Sequence, residues 1–353
     1  MTSTSLGRWL PAYLLLALIW GNSFFFIKVA VGTLHPLQVS FGRMAIGAAT
    51  LLVALALTRR ALPRDPRLWG HFQVASVVLT TVPFTLFAYG EQYVSSVVAA
   101  IWNATTPLCT LAFTLLLRAE KPSAGRMAGL GLGFAGVMVV LGVWQPLSGG
   151  ALGGSLACFG AALCYGVGGS YLGRFITGRR SEPPVVLAAG QLLSGALQLA
   201  VITPLAGVAL VDLSAPAAVW WSMLALGGLG TGVAYLLLYG VQARAGVTTT
   251  STVTYLLPVF AVVSGVLVLG ESLAWNQPVG AAVILVAIAM TQGLLTRRRA
   301  SAPPQPMEPG PASRESMEPR PASPEPVELG SVNSETLTPE TSVPGPAIRR
   351  AEV

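Results

Sequence analysis

Arg43 stands about seven residues into an apolar run that opens HPLQVSFGRMAIGAATLL, some 10 Å along a helix at about 1.5 Å per residue. A guanidinium facing lipid would cost at least a few kcal/mol, so Arg43 must face a bundle interior or a wet cavity. Two chemistries fit it. One is a site for a carboxylate or phosphate, whose paired oxygens the planar fork of Arg grips. The other is a structural cation held by backbone carbonyls or by Glu91. Asn103 and Thr254 each stand four residues before a proline, Pro107 and Pro258. A buried amide or hydroxyl there must find a partner in a bound molecule or a neighbouring helix. Trp20, Asn22, Tyr89, Trp102, Tyr165 and Tyr255 offer rings and an amide within the apolar runs, as cavity walls or as packing. The candidate binding set is Arg43, Trp20, Asn22, Tyr89, Asn103, Tyr165, Thr254 and Tyr255.

Other chemistries are missing. No paired acids, HExxH or serine with a neighbouring base falls inside the apolar runs, so the sequence does not point to an enzyme. Cys109, Cys158 and Cys164 have no CxxC spacing and no adjacent His, and read as small core residues; neither a metal nor a cofactor is expected. Lys28, near the end of its run, is expected to snorkel to the interface. His35 and His71 fall at run ends, which points to facilitated diffusion or exchange rather than to proton coupling.

The elements that must position these residues are apolar. Of 353 residues, 53% are hydrophobic and 10% charged, against roughly 25% charged in a soluble domain, so the expected solvent is a lipid bilayer. The basic excess lies in the apolar part, where the partner is a membrane surface and not nucleic acid. At about 20 apolar residues per crossing, spans are expected at 11–32, 36–57, 70–89, 95–117, 125–144, 151–173, 184–206, 217–240, 247–269 and 277–295. With a cytoplasmic N-terminus, fifteen Lys and Arg fall in inner segments and none in outer loops, whose polar markers are His35, Glu91, Asp212 and Glu271. That asymmetry satisfies the positive-inside rule with both termini cytoplasmic.

The chain also repeats itself. Pro107, Glu120 and Gly129 recur as Pro258, Glu271 and Gly280; Tyr89-Gly90 echoes Tyr239-Gly240, Thr81 echoes Thr231, and Trp20-Gly21 echoes Tyr165-Gly166. Five spans per copy invert the second copy, which explains why Arg118, Lys121 and Arg126 around Glu120 have no counterpart around Glu271. The expected architecture is an all-α membrane protein of ten transmembrane helices in two inverted five-helix repeats. Its parts are a cytoplasmic N-terminus (1–10), the first repeat (11–144), the second (151–296) and a Pro/Glu-rich tail (297–353). The tail carries the near-repeat MEPGPASRES, MEPRPASPEP and should be disordered. Gly125, Gly129 and Gly133 permit close helix packing, within the bundle or in a homodimer.

WGNSFFFIK in the first run, HPLQVSFGR leading into the second and the proline-to-glutamate turn in each half resemble the EamA-like branch of the drug/metabolite transporter superfamily. The resemblance covers residues 11 to about 296. It implies a basket of ten helices around a central cavity and carriage of amino acids and other small metabolites, often outward. The second turn reads GES where the family more often has a GER-like sequence. The expected function is a plasma-membrane secondary transporter for a small metabolite, an amino acid or related compound, working by alternating access in the direction of efflux. The alternatives are a carrier of lipid-linked or sugar-type substrates, or a receptor or intramembrane enzyme.

Overall fold

The computed structural model describes residues 3–116, 123–142, 144, 149–175 and 182–291. Among these residues all regular structure is helical. The helices are α1 (Ser3–Val31), α2 (Pro36–Leu57), α3 (Pro66–Gly90), α4 (Ser96–Phe113), α5 (Ala124–Leu141), α6 (Gly149–Phe175), α7 (Pro184–Leu205), α8 (Ala217–Ala245, helical on to Ser251), α9 (Val253–Leu267) and α10 (Asn276–Thr291). Eight are long and apolar enough to cross a membrane, while α9 and α10 are shorter apolar helices. The expected tail and Glu120 lie outside the described residues.

Local signals set several helix starts. His35 accepts the Leu37 N–H while Gln38 returns a bond to the His35 backbone, with Pro36 in the first turn, a reciprocal cap. Asp65 caps α3 through the Arg67 N–H (2.9 Å) and Ser95 caps α4 through that of Val98. Two expectations shift. Helix α1 already begins at Ser3, inside the segment read as an N-terminal extension. Helix α8 continues through Arg244, which therefore sits exposed on a helix instead of in a loop.

The helices are interrupted in matched places. Helices α3 and α8 each widen into π-helix, at Val77–Thr81 and Ala225–Val233. Helix α4 breaks at Thr105 and the start of α9 at Leu256, each two residues before a proline. Proline lacks the N–H that would bond to the carbonyl four residues back, so Pro107 releases the Asn103 carbonyl, which instead accepts the Thr106 hydroxyl at 2.7 Å.

Close crossings are matched too. A Cβ at Gly129 would lie 2.9 Å from the Ala287 carbonyl oxygen of α10, and one at Gly280 would lie 2.8 Å from that of Gly136 in α5. On α1, a Cβ at Gly21 would meet the Phe260 Cβ of α9 at 2.5 Å; on α6, one at Gly166 would meet the Cys109 Cβ of α4 at 3.2 Å. One core joins α2, α3, α7 and α8 through Met44, Phe72 and Leu192; another joins α1, α4, α6 and α9 through Leu16, Trp102 and Leu257. Outside, Leu57 and Leu205 are each 81% exposed, a surface suited to lipid rather than water.

Candidate functional site

The site begins with the wide turn of α8. The Ala234 N–H reaches back five residues to the Leu229 carbonyl, and the Thr231 hydroxyl donates to Leu226 at 2.9 Å, also five back. The Gly230 carbonyl receives two side chains from other helices: Trp20 Nε1 of α1 at 3.2 Å and Arg43 Nη2 of α2 at 3.4 Å. Arg43 Nε donates to Thr231 Oγ1 at 2.8 Å, and its guanidinium lies 3.7 Å from the Phe84 ring centroid. Arg43 is only 6% exposed. Among the described residues it touches a hydroxyl, a carbonyl and a π-face and no carboxylate; Glu91, one expected partner, makes no hydrogen bond to it.

The matching π-turn of α3 works the same way. Pro83 cannot donate to the Leu79 carbonyl, which accepts the Tyr235 hydroxyl of α8 at 3.2 Å. Such π-turns concentrate at functional sites because the displaced ladder frees polar groups for other partners.

Leu79 of the α3 turn, Trp20 and Arg43, which reach the α8 turn, and Tyr235 just beyond it line a cavity of about 160 Å³. Of the sequence-predicted set, Arg43, Trp20, Asn103, Tyr165 and Thr254 line it together. Asn22, Tyr89 and Tyr255 do not. The Asn22 amide is occupied by the Leu18 carbonyl at 2.8 Å. Tyr89 is 43% exposed and packs on Tyr93, and Tyr255 packs into the cluster joining α4, α5 and α10. Tyr235, Phe84 and Gln191 line the cavity without having been singled out. The signal was present for Gln191, one of two amides, with Gln198, in the apolar run of α7. Its Oε1 accepts the Tyr239 hydroxyl at 2.6 Å, while its Nε2, like Asn103 Oδ1, is buried without a hydrogen-bond partner among the described residues.

Beyond one end of the cavity lie the turns that follow α3 and α9. Glu91, expected in an outer loop, is wholly buried, and neither carboxyl oxygen has a hydrogen-bond partner among the described residues. Lys28, expected to snorkel, ties α1 to this turn by donating to the carbonyls of Glu91 (2.6 Å) and Val94 (2.8 Å). Glu271 spans the two turns. Its carboxylate accepts the Ser96 N–H at 2.9 Å, the Ser96 hydroxyl at 2.8 Å and the Val97 N–H at 3.3 Å, satisfying donors at the start of α4 that the helix leaves open. That is a structural reason for a glutamate thirteen residues after Pro258. His71 is held elsewhere, its Nδ1 2.7 Å from the Tyr171 hydroxyl and its ring stacked on Phe175.

The family model of the EamA-like transporters matches this chain twice, over residues 7–142 and 152–292. The chain belongs to the EamA-like transporter family. Similar proteins include uncharacterized transporter YoaV of Bacillus subtilis, 25% identical over 80% of this chain and 96% of that protein. Uncharacterized inner membrane transporter YedA of Escherichia coli K12 is 29% identical over 78% of this chain and 87% of its own length. A solved crystal structure at 20% identity shares the fold, with a TM-score of 0.58 over 82% of this chain and 99% of its own. This EamA chain is therefore a multi-pass membrane transporter of the drug/metabolite type.

Proposed function

We propose that the protein exports a small carboxylate-bearing metabolite, an amino acid or related compound, across the plasma membrane by alternating access. The observation that carries this reading is Arg43. A cation buried in a cavity wall, touching only neutral groups, gains most from an anionic guest. The unpartnered Gln191 Nε2 supplies a further donor for a carboxylate, and Asn103 Oδ1 an acceptor for an ammonium. The rings of Trp20, Phe84, Tyr165 and Tyr235 suit an apolar side chain.

In this reading all ten helices cross the bilayer as two inverted halves, 11–144 and 151–296, with both termini cytoplasmic. Three observations support it. The family model matches each half separately. The reciprocal crossing of α5 and α10 pairs Gly129 with Ala287 and Gly280 with Gly136, as a two-fold relation between halves requires. The π-turns and proline breaks recur at equivalent places. The cavity reaches Gly169 in α6 and Gln242 and Thr250 in α8, in this topology at the arginine-rich cytoplasmic end, and Ile27 and Phe87 toward the other end; the direction of export follows from the family resemblance. The plasma membrane is favoured by the likeness to YedA, an inner membrane transporter by name.

The test is counterflow in proteoliposomes loaded with unlabelled amino acids, oxo acids or neutral sugars and given labelled traces outside. Transient saturable accumulation of a carboxylate-bearing class is the expected result. Accumulation of neutral sugars alone would assign the cavity to a different chemistry.

A further inference from the structure

Glu91 has no role in the site described above, and its surroundings are unusual for a carboxyl group. It lies one residue past α3, and its N–H donates to the carbonyl of Phe87 at 2.9 Å, so it sits one turn beyond a ring that lines the cavity. It is 0% exposed, and both oxygens are buried without a hydrogen-bond donor among the described residues. The charged and titratable groups around it come from every neighbouring element: Lys28 of α1, Arg43 of α2, Cys158 of α6 and Glu271 of the turn after α9. None of them donates a hydrogen bond to its carboxyl. Lys28 spends its ammonium on the carbonyls of Glu91 and Val94, and Glu271 is taken by the backbone and hydroxyl at the start of α4.

An ionised carboxylate in such a place would be buried without compensation, which costs several kcal/mol. A neutral carboxyl group costs far less. Burial pushes the Glu91 carboxyl well above the usual carboxylate range, with Lys28 pulling it down and Glu271 pushing it up.

We propose that Glu91 is a proton-binding site that must be filled before this end of the bundle can close. When the turns after α3 and α9 seal together, the Glu91 carboxylate accepts a proton from water on that side, forming the O–H bond that lets it be buried. When the turns part, the proton returns to the same water and the carboxylate is left facing the Lys28 ammonium. The protein thus binds one proton per closure at a site separate from the Arg43 cavity. Alkaline conditions on that side hold it open and slow the return half of the cycle. This rests on the alternating-access reading but not on the identity of the substrate.

The experiment needs no substrate. In full-length protein with Cys109, Cys158 and Cys164 replaced by alanine, spin labels on Gln92→Cys and Ser272→Cys, exposed positions on the two turns, report their separation in lipid nanodiscs. The expected result is a single short distance at acid pH and growth of a longer one as pH rises, with the infrared band of a protonated carboxyl lost over the same range. Glu91→Gln should stay at the short distance throughout and lack the band. Lys28→Met, which removes the cation that draws the Glu91 carboxyl down most, should move the opening to higher pH. A wild-type distance that does not change with pH, opening in Glu91→Gln that follows the wild type, or opening without loss of the infrared band would each overturn the proposal. Should Glu91→Gln fail to fold, the shift in Lys28→Met decides the matter alone: no shift overturns the proposal. Silent counterflow would sink the carboxylate-carrier reading and leave these outcomes unaffected.

Discussion

At the scale of single residues, Arg43 separates binding from folding. Replacing it with alanine removes one hydrogen bond to Thr231 and a weaker one to Gly230, whose carbonyl keeps Trp20, so the fold should persist. Hydrogen bonds to a charged group are worth about 1.5–3 kcal/mol. Counterflow of a carboxylate substrate by Arg43→Ala should therefore fall by roughly ten-fold to a hundred-fold, with an unchanged gel-filtration profile. Thr231→Val, which leaves the charge but frees Nε, should give a smaller loss in the same assay. Unchanged counterflow in Arg43→Ala would make the arginine a purely structural cation. Arg43 was legible in the sequence because an unpaired cation inside an apolar run has few physical explanations. Asn22 and Tyr89 misled for a matching reason. In a helix that is apolar on all sides, spacing does not say which face turns inward, and an amide such as Asn22 can satisfy itself on the carbonyl four residues back.

At the scale of elements, the repeated glutamate acts on a neighbouring helix start. Glu271 accepts three hydrogen bonds from Ser96 and Val97, so Glu271→Ala should loosen the start of α4 and the seal between two turns. Loss of a helix cap costs about 0.5–2 kcal/mol, and a lowered melting temperature in detergent is the expected reading. An unchanged melting temperature would mean that water replaces the carboxylate without loss. The sequence placed Glu271 in a turn and related it to Glu120, but it could not show what the carboxylate reaches, because its partner stands 175 residues away. Most helix boundaries among the described residues could be read from apolar length alone; α2 runs from Pro36 to Leu57 as expected, whereas α9 and α10 are shorter than the spans expected there. The π-turns could not be. A Gly-rich stretch such as ALGGLGTGV signals weak helix propensity, yet the choice between four- and five-residue hydrogen bonding depends on the side chains that Trp20 and Arg43 bring from outside the helix.

At the scale of the whole molecule, a single buried acid ties stability to pH. The Glu91 carboxyl is raised well above its usual range by burial, so the folded state holds a proton that the unfolded chain releases near the ordinary glutamate value of about 4.3. The sign follows from that difference. Below the ordinary value both states are protonated and the stabilisation relative to the ionised form is fully present; as pH rises toward the raised folded value, the unfolded state alone gains by ionising and stability declines. Asp212 does not oppose this trend in the same window: its carboxylate, held by the Ser214 hydroxyl and N–H, is shifted below its usual value, so its contribution fades only on the acid side. Wild-type protein in detergent should therefore show a melting temperature that falls steadily from mildly acid to alkaline pH. Glu91→Gln, which keeps the side-chain volume and cannot ionise, should hold a nearly level melting temperature across the same range and exceed the wild type at its alkaline end. If the two profiles were parallel, the pH dependence would belong to other groups and the Glu91 carboxyl would have to find, in the folded protein, a compensation that its present neighbours do not provide.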